Sequence, residues 1–259
     1  MGVSSVYRAL ISGQKHEHPF LDRKSKSQEG DLLATATQSK PKPSQPPSAQ
    51  SPRFETAGEL LKSLGGIPPH RVRLSPIPGT ATERDLIVEN DHNDRICELI
   101  DGVLVEKATG QEESRLAALL IMFLGTFVHP RHLGTLFAPD GPSRLSPNQI
   151  RYPDVAFVAR DRFQGRKNRK EPILDLAPDL AIEVLSKSNS RREMERKLCD
   201  YFNAGTRLVW YVDPKSRTVR VYTSPKNPVI LGEDQTLDGG EVLQGFSLSL
   251  RDLFAELDH

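Results

Sequence analysis

The stretch PDLAIEVLS, residues 178–186, limits the possible folds of this chain more than any other segment. Its apolar residues run almost without interruption over a length suited to a strand, so both faces of that strand have to be covered. Layers of helix or sheet are therefore required on either side of it. Strand alternation then places Glu183 on one face with Ala181 and Leu185, and so puts a carboxylate where burial is expected.

The pattern recurs twice. In RYPDVAFV, residues 151–158, alternation groups Asp154 with Ile150, Tyr152, Ala156 and Val158 on one face of a strand spanning 149–158. In RICELIDGVLVEKA, Glu98 falls with Ile96 and Ile100, and Asp101-Gly102 supplies a tight hairpin turn. An unpaired buried carboxylate either costs several kcal/mol or takes up a proton, so three of them on apolar faces point to a cation. With no His or Cys on the same strand faces, these hard oxygen donors favour Mg2+ or Mn2+ over zinc. Such a centre suits phosphodiester hydrolysis, in which the ion orients water and offsets charge on the phosphate.

The remaining periodicities outline an α/β (α+β) domain with a mixed central sheet flanked by helices. SRREMERKLCDYFNAG is a helix with Ser190 and Glu193 as capping box, an inner stripe of Met194, Leu198, Tyr201 and Phe202, and Gly205 as its stop. RLVWYVDPKSRTVRVYT follows as two strands. Upstream, TAGELLKSLGG is capped by Thr56 and Glu59, and a second short helix is expected at Thr80 with Glu83. A helix over 112–128 is apolar nearly all round. Strands are expected at 134–138 and 143–145, and short strands with a final helix in LDGGEVLQGFSLSLRDLF.

Residues 1–53 end in SKPKPSQPPSAQSP and read as a disordered arm, leaving 54–259 as one domain. The balance of 35 Lys plus Arg against 34 Asp plus Glu excludes a histone-like polycation, so any nucleic-acid contact is local. The isolated Cys97 and Cys199 support neither a disulfide framework nor a thiolate zinc site and read as buried thiols of a cytoplasmic protein. No signal-peptide run opens the chain, and LAALLIMFLGTFV falls short of the ~20 residues of a membrane helix. No P-loop, dinucleotide-binding glycine motif or GxSxG elbow is present.

ELIDGVLVEK, RYPDVAFV, PDLAIEVLSKS and KLCDYFNAGTRLVWYVDP follow one another in an order and spacing that resembles the Uma-two family of restriction endonucleases, within the PD-(D/E)xK nuclease superfamily. The resemblance covers roughly residues 80–255. It implies a restriction-endonuclease-like core with a divalent metal between the PD strand and the ExK strand, so that Asp154 and Glu183 match the two acids and a backbone carbonyl near Val184 adds a ligand. Leu185 stands where the superfamily pattern has lysine. Lys187 keeps the strand parity but lies about 13 Å of strand beyond Glu183. Lys197 borders the apolar stripe of its helix, which makes it the expected replacement. Glu98 and Glu113 compete for a third acidic role, Glu113 being also explained by the dipole of the helix it opens.

Arg166, Lys167, Arg169 and Lys170 lie in ARDRFQGRKNRKEP, between the two ligand strands, and could bind backbone phosphates without reading sequence. His129 and His132 follow a helix end, where a partner for the dipole is the ordinary explanation. The expected function is a Mg2+-dependent endonuclease acting on DNA, with a homodimer expected for double-strand cutting. The alternative is a catalytically weak or inactive nuclease-fold protein that binds nucleic acid.

Overall fold

The computed structural model describes residues 54–92, 95–108, 110–163 and 171–258. These residues belong to one compact unit, Ala49–His259. The proposed arm over residues 1–53 lies outside the described residues.

Helix α1 (Ala57–Ser63) begins at Thr56, whose hydroxyl accepts the Glu59 amide, while the Glu59 carboxylate takes the amide of Glu55 instead of that of Thr56. Helix α2 (Glu83–His92) starts two residues later than expected: Thr82 and Asp85 exchange the capping bonds, and the Thr80 hydroxyl donates to the Ile77 carbonyl. Strands β1 (Cys97–Ile100) and β2 (Val103–Glu106) form the expected antiparallel hairpin. Asp101 and Gly102 both adopt positive φ, 49° and 74°. The backbone of Gly79 crosses so closely that a Cβ on Gly102 would lie 2.6 Å from its carbonyl oxygen. Helix α3 (Gln111–Val128) buries Leu116, Leu120, Leu124 and Val128.

Strands β3 (Gly134–Phe137), β4 (Ser143–Ser146), β5 (Gln149–Arg151) and β6 (Val155–Ala159) follow. The single strand expected over 149–158 is thus two strands in two sheets. Pro153 has no amide for a continuing ladder, and the chain leaves one sheet there and enters the other. Asp154 lies at that crossing. Beyond it come α4 (Arg160–Phe163), β7 (Leu180–Val184), α5 (Arg191–Asn203), β8 (Leu208–Asp213), β9 (Thr218–Tyr222), β10 (Val229–Leu231), β11 (Thr236–Gly239), β12 (Leu243–Ser249) and α6 (Leu250–Ala255).

A six-stranded sheet runs β10-β9-β8-β7-β6-β3, and a four-stranded one runs β2-β1-β5-β4. Strands β7 and β8 are parallel and joined through α5, while the other pairings are antiparallel, so the larger sheet is mixed. One face of it, with Phe157, Ile182, Val184 and Trp210, packs with α3, the β11–β12 hairpin and α6. The other, with Ala181, Val209 and Tyr211, packs against Met194, Leu198 and Tyr201 of α5. All five residues of β7 are buried, as a strand covered on both faces requires. The reading of two buried thiols holds for Cys97 alone, since Cys199 faces outward from α5 and is exposed. No helix among the described residues is long and apolar enough to cross a membrane.

Candidate active site

The break at Pro153 places Asp154 just before β6, with both its amide and its carboxylate turned toward β7. The Asp154 amide donates to the Ile182 carbonyl at 2.9 Å. In return, Asp154 Oδ2 accepts the Val184 amide at 2.7 Å. The Asp154 carboxylate is thereby fixed beside the strand that bears Glu183, because Val184 directly follows Glu183. The second oxygen, Asp154 Oδ1, meets the ammonium of Lys107 at 2.8 Å.

Glu183 points from β7 toward α5, where Lys197 and Tyr201 stand one turn apart on the same face. Tyr201 donates its hydroxyl to Glu183 Oε1 at 2.6 Å, and Lys197 Nζ donates to Glu183 Oε2 at 2.7 Å. The same ammonium lies 3.1 Å from Glu98 Oε1. Glu98, on β1, also accepts the Tyr152 amide and, at 2.8 Å, a guanidinium nitrogen of Arg151. The other arm of Arg151 reaches Asp200 Oδ2 at 2.5 Å, and Gln149 donates to that same oxygen. The cluster thus joins both sheets to α5 and sets the acids Glu98, Asp154, Glu183 and Asp200 against Lys107, Arg151 and Lys197.

Burial pushes the Glu183 carboxyl up to about 7, with the nearby Asp154 charge adding to the rise and Lys197 opposing it. Burial acts in the same direction on Glu98, but Lys197 and Arg151 outweigh it and hold that carboxyl well below the usual range. Burial works against the charge on Lys197 too, yet Glu183 and Glu98 raise its pKa. Burial and the Glu183 charge raise the Tyr201 hydroxyl well above its ordinary value. As pH falls, Glu183 is therefore the first of the two glutamates to take a proton.

An acid just before β6, another on the adjoining β7 and a lysine from the following helix α5 are thus held together. Residues 83–251 match the family model of Uma2, described as "Putative restriction endonuclease". The chain belongs to the Uma2 family. It is also similar in fold to the crystal structure of "a putative nuclease belonging to DUF820" from Anabaena variabilis, at a TM-score of 0.58 and 23% identity over 64% of this chain and 93% of that one. No curated protein matches the chain significantly.

Within this Uma2-family domain, the structure brings Asp154, Glu183, Lys197 and Glu98 together. Glu113 stays apart: it sits in the first turn of α3, and its carboxylate folds back over Gly110, where an added Cβ would meet Glu113 Oε2 at 1.9 Å. Lys187 is exposed on the wall of an open cleft of about 1280 Å3, together with Glu113, Leu185, Met194, Tyr211 and Arg220. That cleft begins next to the acids, since Leu185 is two residues past Glu183, but the acids themselves do not line it. Arg166, Lys167, Arg169 and Lys170 lie outside the described residues. Arg162, from the start of the same basic stretch, is held by the fully buried Asp179 at 2.7 Å. His129 and His132 are exposed at the end of α3.

Sequence reasoning missed Lys107, Arg151, Asp200 and the hydroxyl of Tyr201. Two of them carried a local signal: Lys107 continues the alternation of Val103 and Val105, and Tyr201 is four residues from Lys197 on a helix. Nothing local marks the Arg151–Asp200 contact.

The donor set suits a hard divalent cation. Asp154 and Glu183 offer carboxylate oxygens, and Asp154 Oδ1 already attracts a positive charge, that of Lys107. Among the described residues no three His, Cys, Asp or Glu side chains form a ready-made cage. Magnesium needs none, because it binds through one or two carboxylates and takes its other ligands from water and substrate phosphate.

Proposed function

We propose that this chain is a metal-dependent endonuclease that hydrolyses phosphodiester bonds in DNA. The observation that carries the reading is the hydrogen bond from the Val184 amide to Asp154 Oδ2, which sets the Asp154 carboxylate beside the strand that bears Glu183. Membership of the Uma2 family supports the same reading. Asp154, Glu183 and the backbone carbonyl at Val184 would hold Mg2+ or Mn2+. Such an ion lowers the pKa of a water molecule and offsets charge that develops on the phosphate.

The chain's own groups prepare that centre. The Val184 amide fixes the orientation of Asp154. Lys197 opposes the effect of burial on Glu183 and favours its ionised form, and Tyr201 fixes the direction of its carboxylate. Glu98 and Arg151 brace Lys197 from the other sheet. Arg166, Lys167, Arg169 and Lys170 would bind backbone phosphates beside the site, and a second copy of the chain would serve double-strand cutting in the cytoplasm.

The test is nicking of supercoiled plasmid by purified protein with Mg2+ or Mn2+, next to Asp154→Asn and Glu183→Gln. Metal-dependent nicking that falls by at least about a hundredfold in both variants is expected. A folded wild-type protein that binds DNA but does not nick it would overturn the reading in favour of a nuclease-fold binding protein.

A further inference from the structure

Lys107, the last residue of the ELIDGVLVEK motif, is the cation of the cluster to which the proposed chemistry gives no part. Its amide donates to the Ile96 carbonyl at 2.8 Å, which continues the hairpin ladder past β2 and fixes where the side chain starts. Both side chains of the pair are largely buried, with exposures of 5% for Lys107 and 13% for Asp154. Besides Asp154, the ammonium has a long contact of 3.5 Å with the Pro139 carbonyl. Asp154 cannot turn away from it without giving up the Val184 amide at Oδ2. A tethered positive charge thus sits on the one Asp154 oxygen that the backbone leaves free.

That oxygen is also the one through which Asp154 would reach a divalent ion. A lysine and a divalent cation cannot both approach Asp154 Oδ1 at full strength, because two positive charges a few ångströms apart in a poorly solvated site repel strongly. Lys197 sits on the other proposed ligand, Glu183, but it shares its charge with Glu98 and bridges the two sheets, and Asp154 acts on it only as a further negative charge. We propose that Lys107 is an internal counter-ion of Asp154 that the divalent cation displaces on binding, so that this lysine weakens and tunes the metal affinity of the site. The inference rests on the reading that Asp154 and Glu183 hold a divalent ion, and it does not depend on whether DNA is cut.

Titration calorimetry with Mn2+ in the absence of DNA tests it, on wild type, Lys107→Gln, Lys107→Arg and Asp154→Asn. Lys107→Gln is expected to bind Mn2+ roughly tenfold more tightly than wild type, since it removes the competing charge. Lys107→Arg keeps the charge and is expected to bind no more tightly than wild type, and Asp154→Asn to lose binding. If Lys107→Gln is too unstable to isolate without metal, Mn2+ has to restore its fold, because the ion takes the place of the missing ammonium. Unchanged or weaker binding by Lys107→Gln, equal tightening by Lys107→Arg, or failure of Mn2+ to restore the fold would each overturn the role of Lys107. Absence of Mn2+ binding in every protein would overturn the metal reading itself, whereas Mn2+ binding without DNA cleavage would count against the nuclease reading alone.

Discussion

Lys197 Nζ lies 2.7 Å from Glu183 Oε2, although the two residues are 14 positions apart and on different layers, one on helix α5 and one on strand β7. Because the ammonium also touches Glu98, it is shared by two carboxylates that are both almost fully buried.

Removing that charge should leave two buried acids without their common partner. Lys197→Met is expected to lower stability by about 3 to 5 kcal/mol, the range for breaking a buried ion pair from one side. Urea unfolding followed by circular dichroism measures it. Pairing the change with Glu183→Gln should recover part of the loss, and a loss below about 1 kcal/mol in the single variant would contradict the role of the ammonium.

The opposite displacements of the two glutamates predict a pH signature. Glu183 is raised from 4.5 to about 7 in the folded protein, so its contribution is fully present below about 4.5 and is lost as pH rises through 7. Glu98 is depressed, so its contribution is present above 4.5 and lost only as pH falls below that value. Unfolding free energies of the metal-free protein at pH 5 and pH 8 should therefore differ less in Glu183→Gln than in wild type, by on the order of 1 to 3 kcal/mol. An equal pH response in both proteins would show that Glu183 does not titrate in this window.

Asp179 is a buried acid of a different kind. It accepts the Ala159 amide at 2.8 Å and guanidinium nitrogens of Arg162 and Arg207, and so ties the start of β7 to the end of β6 and to the loop before β8. Asp179→Ala is expected to cost about 2 to 4 kcal/mol, because the part-buried Ala159 amide loses its side-chain acceptor and Arg162 and Arg207 lose their buried partner. Mn2+ affinity of the folded fraction should stay at the wild-type level. Thermal melts with and without Mn2+ separate the two effects, and a lost metal response would place Asp179 in the site.

The hairpin turn makes a purely steric prediction. Gly102 has φ of 74°, and an added Cβ would lie 2.6 Å from the Gly79 carbonyl oxygen, which is backbone and cannot swing aside. Gly102→Ala should destabilise by about 1 to 3 kcal/mol. A melting temperature within a degree of wild type would show that the Gly79 segment can move.

What the sequence determined by itself was local and periodic. The Asp101-Gly102 hairpin, the Ser190–Glu193 capping box of α5, the covered strand β7 and the buried acids Glu98 and Glu183 on their strand faces all follow from spacings of a few residues, and each is present in the fold. The tertiary structure decided how those acids are neutralised. It split the expected strand at Pro153 between two sheets, left Glu113 at the helix end and brought Glu98 to Lys197. It also supplied Arg151 and Asp200, partners that no short-range pattern announces, as with the 53 positions between Arg151 and Glu98, and it set Lys107, which continues the alternation of β2, against Asp154. The physical reason is desolvation: an acid on an apolar face needs a compensating charge only once the layers close over it, and which cation arrives is set by how the sheets and α5 pack.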